Sequence, residues 1–356
     1  MKILTLIGTR PELIRLSILI KKLDDLVEHI VVYTNQNYDY NLSKIFFKEL
    51  EIRNPNYYFE KESKSFTEFL SNAIIEFEKI IIKESPDKII ILGDTNTGLL
   101  SIMANRYQIP IYHLEAGNRC FDNRLPEESN RKIIDSISTY NLPYTENSKQ
   151  NLLKEGYHKN YVFKIGNPIY EVLNFYKQNI DNSSILNKLQ LTSKEYCLVT
   201  IHRTENTNDK NILNNIFISL NEISNYKKII LSLHPRTKNK LENYNIKINK
   251  NIIICEPFGF FDFVKLEQNS FLTISDSGTV QEECCIFNVP SLTIRETTER
   301  QETIECGSNI LCGTDTSNII NSFNIVKNKK FNYWNIPNDY LISNVSDIVT
   351  NILIGK

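Results

Sequence analysis

Between His113 and Arg131 the chain reads HLEAGNRCFDNRLPEESNR. The stretch gathers the carboxylates of Glu115, Glu127 and Glu128 with the guanidinium groups of Arg119, Arg124 and Arg131. It follows the short apolar run IPIY and enters a helix at PEESNRKIIDSI. In an open α/β sheet, ligands bind in loops at the carboxyl ends of strands. Charges of both signs at such a place suit acid–base work on an anionic substrate, and solvated surface ion pairs are the alternative. Cys120 is a candidate thiol nucleophile, set against the commoner role of a packing cysteine.

Other strand ends carry comparable groups. Gly8-Thr9-Arg10-Pro11-Glu12 joins an apolar run to a helix, where backbone N–H groups can receive an anion and Arg10 adds a planar cationic fork. The pattern is not GxGxxG, which disfavours a dinucleotide. Gly93-Asp94-Thr95 closes another apolar run, and Asp94 is either a helix cap or a projecting acid–base group. Further along, His202-Arg203 with Glu205-Asn206, and His234 with Arg236, repeat a histidine–arginine loop at two strand ends. Ser275-Asp276-Ser277-Gly278-Thr279 opens a helix with small residues whose N–H groups and hydroxyls suit a diphosphate. Glu283, on the next turns, is placed to accept from ribose hydroxyls. Arg295 and the run Glu296–Arg300 end one more strand. The second half therefore looks like a nucleotide-diphosphate grip, and the first half holds the surplus of carboxylates. There is no HExxH, nucleophile elbow or P-loop lysine, so metalloprotease, hydrolase and kinase readings lack support.

These loops need a scaffold. Apolar runs at 2–7, 29–34, 88–92 and 109–113 alternate with helical patterns, including a long one over 66–84 and one over 97–107. TYNLPYT and YVFKIG read as further strands around the helix SKQNLLKEG. Residues 177–195 are polar and read as a connection, after which a second βα series begins at 196. Regular alternation in both halves predicts an α/β protein with two Rossmann-like parallel-sheet domains facing across a cleft. The expected division is 1–170 plus 338–356 for the first domain and 171–337 for the second, with LISNVSDIVTNILI packing back as a closing helix. A length of 356 residues suits two domains. A net charge of −1 lacks the basic stripe of a nucleic-acid binder. The amino terminus reads as a strand and not a signal peptide, and no stretch is apolar enough for a membrane span. Seven cysteines without metal-type spacing read as reduced packing residues of a cytoplasmic protein.

Taken together, GTRPE (8–12), GDT (93–95), HLEAG (113–117), PEESNR (126–131), HR-x-EN (202–206), HP (234–235), SDSG-x-x-QEE (275–283) and TTER (297–300) resemble the non-hydrolysing UDP-N-acetylglucosamine 2-epimerase family. The match runs in order along nearly the whole chain. The resemblance implies the glycosyltransferase-B type of fold. It also implies inversion at sugar C2 by elimination and re-addition of UDP through a 2-acetamidoglucal, with no metal or organic cofactor and a homodimer. Carried over by motif, Asp94, Glu115 and Glu127 are the carboxylates that move protons, and Arg10, Arg131 and His202 steady the diphosphate or the sugar. Arg131, one helical turn beyond Glu127, is then a substrate clamp, and Glu128 is left as a surface or capping residue. Ser277, Gly278 and Glu283 hold UDP, and Arg15, His234, Thr279 and Arg300 join the substrate-binding set.

The chain departs from the enzymes specific for UDP-N-acetylglucosamine at named positions. Those enzymes usually have Lys where this chain has Arg15, Gln-His where it has Gln36-Asn37, and Gly where it has Thr279. The Gln-His change bears on the allosteric UDP-N-acetylglucosamine site of the bacterial family. The segments 36–40, 115–122, 234–237 and 257–263 are nearer a subgroup that makes UDP-N-acetyl-L-fucosamine from a UDP-2-acetamido-2,6-dideoxy-L-hexose for surface polysaccharides. Conversion of UDP-N-acetylglucosamine to UDP-N-acetylmannosamine is the other substrate reading, and NRCFDNR is where the choice is expected to be made. Rival functions are a nucleotide-sugar glycosyltransferase, which would leave the acidic loops unexplained, and a non-catalytic UDP-sugar sensor.

Overall fold

The computed structural model describes residues 1–35, 40–59, 63, 65–328 and 334–355. It divides into two compact units, Met1–Asn174 with Asn338–Lys356, and Phe175–Pro337. The first unit holds a six-stranded sheet: β1 (Lys2–Ile7), β2 (Glu28–Tyr33), β3 (Tyr57–Tyr58), β4 (Lys88–Leu92), β5 (Ile111–Leu114) and β6 (Tyr140–Leu142). Their order is β3-β2-β1-β4-β5-β6, with every pair parallel. The second unit repeats the plan with β7 (Tyr196–Thr200), β8 (Lys228–Ser232), β9 (Ile252–Cys255), β10 (Leu272–Ser275), β11 (Ser291–Thr293) and β12 (Asn309–Leu311). Here the order is β12-β11-β10-β7-β8-β9, again all parallel. Chain direction across each sheet reverses once, between β1 and β4 in the first and between β7 and β10 in the second. Such switch points open a crevice at the carboxyl ends of the strands.

The sequence reasons for this are plain in the central strands. β1 and β4 carry apolar residues on both faces because helices cover both faces of a parallel sheet, and Ile3, Leu4, Ile89 and Ile90 have no exposed surface. Full burial of each such side chain stabilises by about 1.5–3 kcal/mol. The helix Arg10–Leu26 takes Pro11 in its first turn, where a missing N–H costs nothing. The second core is built likewise from Val199, Phe217, Leu231, Ile274 and Leu292.

Some elements differ from the sequence expectation. The helix expected over 97–107 begins as a 3-10 turn, Asn96–Leu100, before becoming α-helical over Ser101–Arg106. YVFKIG is not a strand: it meets the sheet edge through the bridge Asn141↔Val162, with the Phe163 N–H bonding the Asn141 carbonyl and the Ile165 N–H that of Pro143. The polar stretch 177–195 contains two short helices, Lys177–Asp181 and Ile185–Lys188, anchored by buried Ile180 and Ile185. The closing helix forms over Val345–Gly355 and packs on Arg10–Leu26 within the first unit. Among the described residues no helix is long and apolar enough to cross a membrane.

Candidate functional site

In the first unit, the β1 and β4 loops meet through Glu12. Its carboxylate accepts from the N–H groups of Gly8 and Thr9, the latter at 2.9 Å, and from the Thr95 hydroxyl at 2.6 Å. Glu12 is buried, and desolvation pushes its carboxyl up to about 7 against those three donors. Arg10 opens the helix with its guanidinium over the Phe46 ring, 5.5 Å from the centroid.

Asp94 follows β4 and is partly exposed, and its carboxylate meets Arg131 at 2.5 Å. Arg131 reaches back at 3.0 Å to Glu128 on its own helix, Pro126–Ile137. Glu128 therefore departs from the surface or capping role expected of it. It has no exposed surface and accepts from the N–H groups of Cys120 (3.0 Å) and Phe121 (3.3 Å) and from the Cys120 thiol (3.3 Å). The reason is that the loop before the helix folds back over its first turn, so two backbone donors need an acceptor there. Burial works against the charge of Glu128, but the Cys120 donors and Arg131 hold its pKa below the usual carboxylate range. Cys120 is buried, and desolvation raises its thiol, the opposite of what a nucleophile needs. Glu127, the preceding residue, is half-buried, and its side chain has no hydrogen-bond or ion-pair partner among the described residues.

Glu115 follows β5, whose Leu114 pairs with Leu92 of β4, so Asp94 and Glu115 leave neighbouring strands. Its backbone lies in the left-handed region, φ +68°, a conformation held at cost in a non-glycine residue. The carboxylate accepts from Asn118 at 3.2 Å and pairs with Arg15 at 3.3 Å. Arg15 is buried, lies over the Tyr144 ring and reaches Asn167 at 3.4 Å.

His113 and Asp135 were not singled out by sequence reasoning, yet they hold this region together. The His113 ring is fully buried, with one nitrogen 2.8 Å from Asp135 and the other 2.8 Å from the carbonyl of Gly93, next to Asp94. Asp135 also accepts from the Gly117 N–H and pairs with Arg119 at 2.7 Å. Arg119 in turn pairs with Glu155 at 2.6 Å, so it belongs to the scaffold and not to an open site. Arg124 is exposed and pairs with Asp122.

In the second unit, β7 lies between β8 and β10, so the loops of His202, His234 and Ser277 leave three adjacent strands. Asp276 is the hub. Fully buried, it accepts from the N–H groups of His202 (3.1 Å) and Arg203 (3.0 Å) and from Asn206 (3.1 Å), and meets the His202 ring at 3.1 Å. Burial opposes its charge, but His202 and the backbone donors bring it down to about 2. The His202 ring stays about half exposed on this support. His234 is half-buried just before the helix Pro235–Asn243.

Ser277 caps the helix Gly278–Ile286 with backbone alone, its hydroxyl making no capping bond. Gly278 allows close approach of Glu299, whose Oε1 would lie 2.8 Å from an added Cβ. Thr279 is half-buried beside it. Gln281 and Glu282 fasten the loop that follows β11: Thr298 donates to Gln281 at 2.8 Å, and Arg300 pairs with Glu282 at 2.5 Å. Glu283 is buried against Glu267, and burial together with Glu283 keeps the Glu267 carboxyl well above the usual range.

The structure thus brings Asp94, Arg131, Glu115 and Arg15 to one sheet's switch-point side, and His202, Ser277, Gly278 and Thr279 to the other's. Carboxylate–arginine pairs and a helix-opening loop of small residues at the carboxyl ends of strands stand where ligands bind in open α/β sheets. The model of the UDP-N-acetylglucosamine 2-epimerase family matches residues 21–354. A UDP-N-acetylglucosamine 2-epimerase of Methanocaldococcus jannaschii is 42% identical over 347 residues, covering 94% of each chain. A UDP-2,3-diacetamido-2,3-dideoxy-D-glucuronate 2-epimerase of Pseudomonas aeruginosa is 35% identical over 329 residues, covering 90% of this chain and 91% of its own. The crystal structure of the M. jannaschii UDP-GlcNAc 2-epimerase, in complex with UDP-GlcNAc and UDP, superposes with a TM-score of 0.94 at 39% identity, with all of both chains covered. The two parallel-sheet units of this chain are of the glycosyltransferase-B type, and the chain belongs to the UDP-N-acetylglucosamine 2-epimerase family of isomerases.

Proposed function

We propose that this isomerase interconverts UDP-N-acetylglucosamine and UDP-N-acetylmannosamine by eliminating and re-adding UDP. The observation that carries the proposal is the pair of carboxylates on neighbouring strand ends, Asp94 against Arg131 and Glu115 against Arg15. The proton at C2 stands next to an acetal and not a carbonyl, so its simple removal is prohibitively uphill. Loss of that proton to a carboxylate, with the C1–O bond breaking and its electron pair leaving on UDP, forms a C1=C2 glycal. A proton then returns to C2 from the opposite face, and the UDP oxygen re-adds to C1. Asp94, Glu115 and Glu127 move these protons, and the half-buried place of Glu127 at the first turn of the helix that carries Arg131 suits a group that meets substrate. Arg10, Arg15, Arg131 and His202 steady sugar and diphosphate as charge shifts to the leaving group. Ser277, Gly278, Thr279, Glu283, His234 and Arg300 hold the nucleotide. The same reading places the enzyme in the cytoplasm as a homodimer that supplies an activated amino sugar for surface polysaccharides.

A second substrate, UDP-2-acetamido-2,6-dideoxy-L-talose giving UDP-N-acetyl-L-fucosamine, is supported by Arg15. A guanidinium replaces the family's usual lysine beside a proposed acid–base carboxylate. The Gln36-Asn37 substitution that points the same way lies outside the described residues, as do the structure of 36–39 and the side chain of Arg236.

Incubation with each UDP-sugar in D2O, followed by NMR at C2, tests the proposal. Deuterium at C2 together with the C2 epimer is expected for the true substrate. No exchange with either sugar sinks the epimerase reading. Asp94→Asn and Glu115→Gln are each expected to lower kcat by about a hundredfold or more while UDP still binds. Sugar transfer to an acceptor without epimerisation would favour a glycosyltransferase, and full biological function in both variants a sensor.

A further inference from the structure

The helix Gly278–Ile286 ends in two adjacent cysteines with different surroundings. Cys284 is fully buried, lies 3.0 Å from the Thr273 hydroxyl, and has its thiol raised by burial. Cys285 points elsewhere: its Sγ lies 3.7 Å from the Sγ of Cys306, and both are free thiols. Cys306 caps the carboxyl end of the helix Gln301–Glu305, is partly exposed, and lies 3.3 Å from the Ser308 hydroxyl. The two sulfurs are already in contact. A disulfide needs about 2.05 Å between them, so closure asks for a movement of about 1.6 Å. That movement is available on the Cys306 side. The next residue, Gly307, has φ +83° and open space around it, whereas Cys285 sits in a buried helix with its carbonyl held by the Trp334 indole at 2.9 Å. The contact with Cys285, helped by Ser308, also lowers the Cys306 thiol to about 6, while Cys285 is raised.

We propose that Cys285 and Cys306 form a thiol–disulfide exchange site that reacts with small-molecule disulfides. The Cys306 thiolate attacks one sulfur of the incoming disulfide, whose S–S bond breaks and releases one thiolate that takes up a proton. The Cys285 thiol then gives its proton to solvent and attacks Cys306 Sγ in the mixed disulfide, expelling the second thiolate, which is protonated in turn. Two protein thiols are oxidised and one external disulfide is reduced to two thiols.

The new bond ties together two segments that already meet at their other ends. Arg300, just before the Cys306 helix, pairs with Glu282, and Thr298 bonds Gln281, both on the helix that begins at Gly278. Drawing Cys306 toward that helix shifts the loop carrying Arg300, so oxidation weakens UDP binding. This consequence rests on the nucleotide-holding role proposed above, and the thiol chemistry does not.

The full-length reduced protein is incubated with oxidised glutathione, and intact mass and linked peptides are read. A mass lower by two hydrogens is expected, with the peptides of Cys285 and Cys306 joined, and dithiothreitol should reverse it. Cys285→Ser is expected to stop at glutathione on residue 306, Cys306→Ser to leave Cys285 unmodified, and Cys284→Ser to close normally. A link through Cys284, or Cys285 reacting as readily without Cys306, overturns the site. Calorimetric titration with UDP is expected to give a Kd at least threefold weaker after oxidation, restored by dithiothreitol. A closed disulfide with unchanged UDP affinity overturns the coupling, whereas failure to bind UDP in either state overturns the nucleotide reading instead.

Discussion

Two buried glutamates in the first unit do opposite things with charge, and each makes a prediction. Glu128 is ionised in a pocket with three backbone or thiol donors and Arg131, and through Arg131 it supports Asp94. Glu128→Gln keeps the shape and removes the charge, leaving Arg131 with one carboxylate. Removing one partner of a buried pair costs about 3–5 kcal/mol. The variant should therefore unfold at a lower temperature and lose more than tenfold in kcat. Unchanged kcat would detach Glu128 from the support of Asp94. Glu12 is instead shifted from an ordinary 4.5 to about 7. The folded state binds that proton more tightly than the unfolded chain. Its stabilisation, roughly 3 kcal/mol, is fully present below pH 4.5 and is lost as pH rises through about 7. Glu12→Gln keeps an acceptor for the Gly8 and Thr9 N–H groups and is neutral at every pH. Urea unfolding of the variant should flatten between pH 5 and 8, and at pH 8 the variant should be at least as stable as the parent. A parent profile that rises over that range would refute the shift.

The elements that carry these residues are loops leaving parallel strands, and their backbones are tightly constrained. Gly117, in the turn after Glu115, has φ +76°, and an added Cβ would lie 2.2 Å from the carbonyl oxygen of Ser148. Gly93 has a similar φ, +74°, but nothing within 4 Å of that position. A left-handed conformation alone costs an ordinary residue about 1–2 kcal/mol. Gly93→Ala should lose about that much in urea unfolding. Gly117→Ala should lose clearly more, because a fixed backbone atom must move; equal losses would mean the turn yields freely. The contrast bears on what a sequence can reveal. The strand KIIIL and the helix over 66–84 were legible because burial on both faces and helical periodicity leave their marks in residue type. YVFKIG has a similar apolar character but lacks a strand partner beyond one bridge, and partnership is not written locally. Asp94 and Glu115 could be placed at strand ends because they sit just past apolar runs. Glu128 could not be told from Glu127, since adjacent helix residues of one type differ only in what the folded-back loop lays over them. Asp276 was visible within SDSG, but its grip on the His202 loop depends on β7 and β10 being neighbours, a pairing that spans 70 residues of chain or more.

At the scale of the whole molecule, the proposed homodimer needs an apolar surface, and the first unit has one. Ile75 and Ile82 are both more than half exposed on the helix Phe66–Glu84, seven residues apart and so on one side of it. The helix Ser101–Arg106 packs beside it, and Pro126–Ile137 packs beside that, each with a further exposed isoleucine, Ile102 and Ile133. Single exposed apolar residues need no explanation, but isoleucines on three successive neighbouring helices suit burial against a second copy. Sedimentation equilibrium of the parent at micromolar concentration should give twice the 41.5 kDa chain mass. The double variant Ile75→Asp, Ile82→Asp places charge on that surface without disturbing a buried side chain, so it should keep its circular dichroism and sediment as a monomer. A parent that is monomeric at tens of micromolar would remove the homodimer, and a variant that stays dimeric would move the interface to another face. Because the Pro126–Ile137 helix carries both Ile133 on its outer side and Arg131 against Asp94, the monomer's kcat then decides whether assembly also supports the proposed acid–base site.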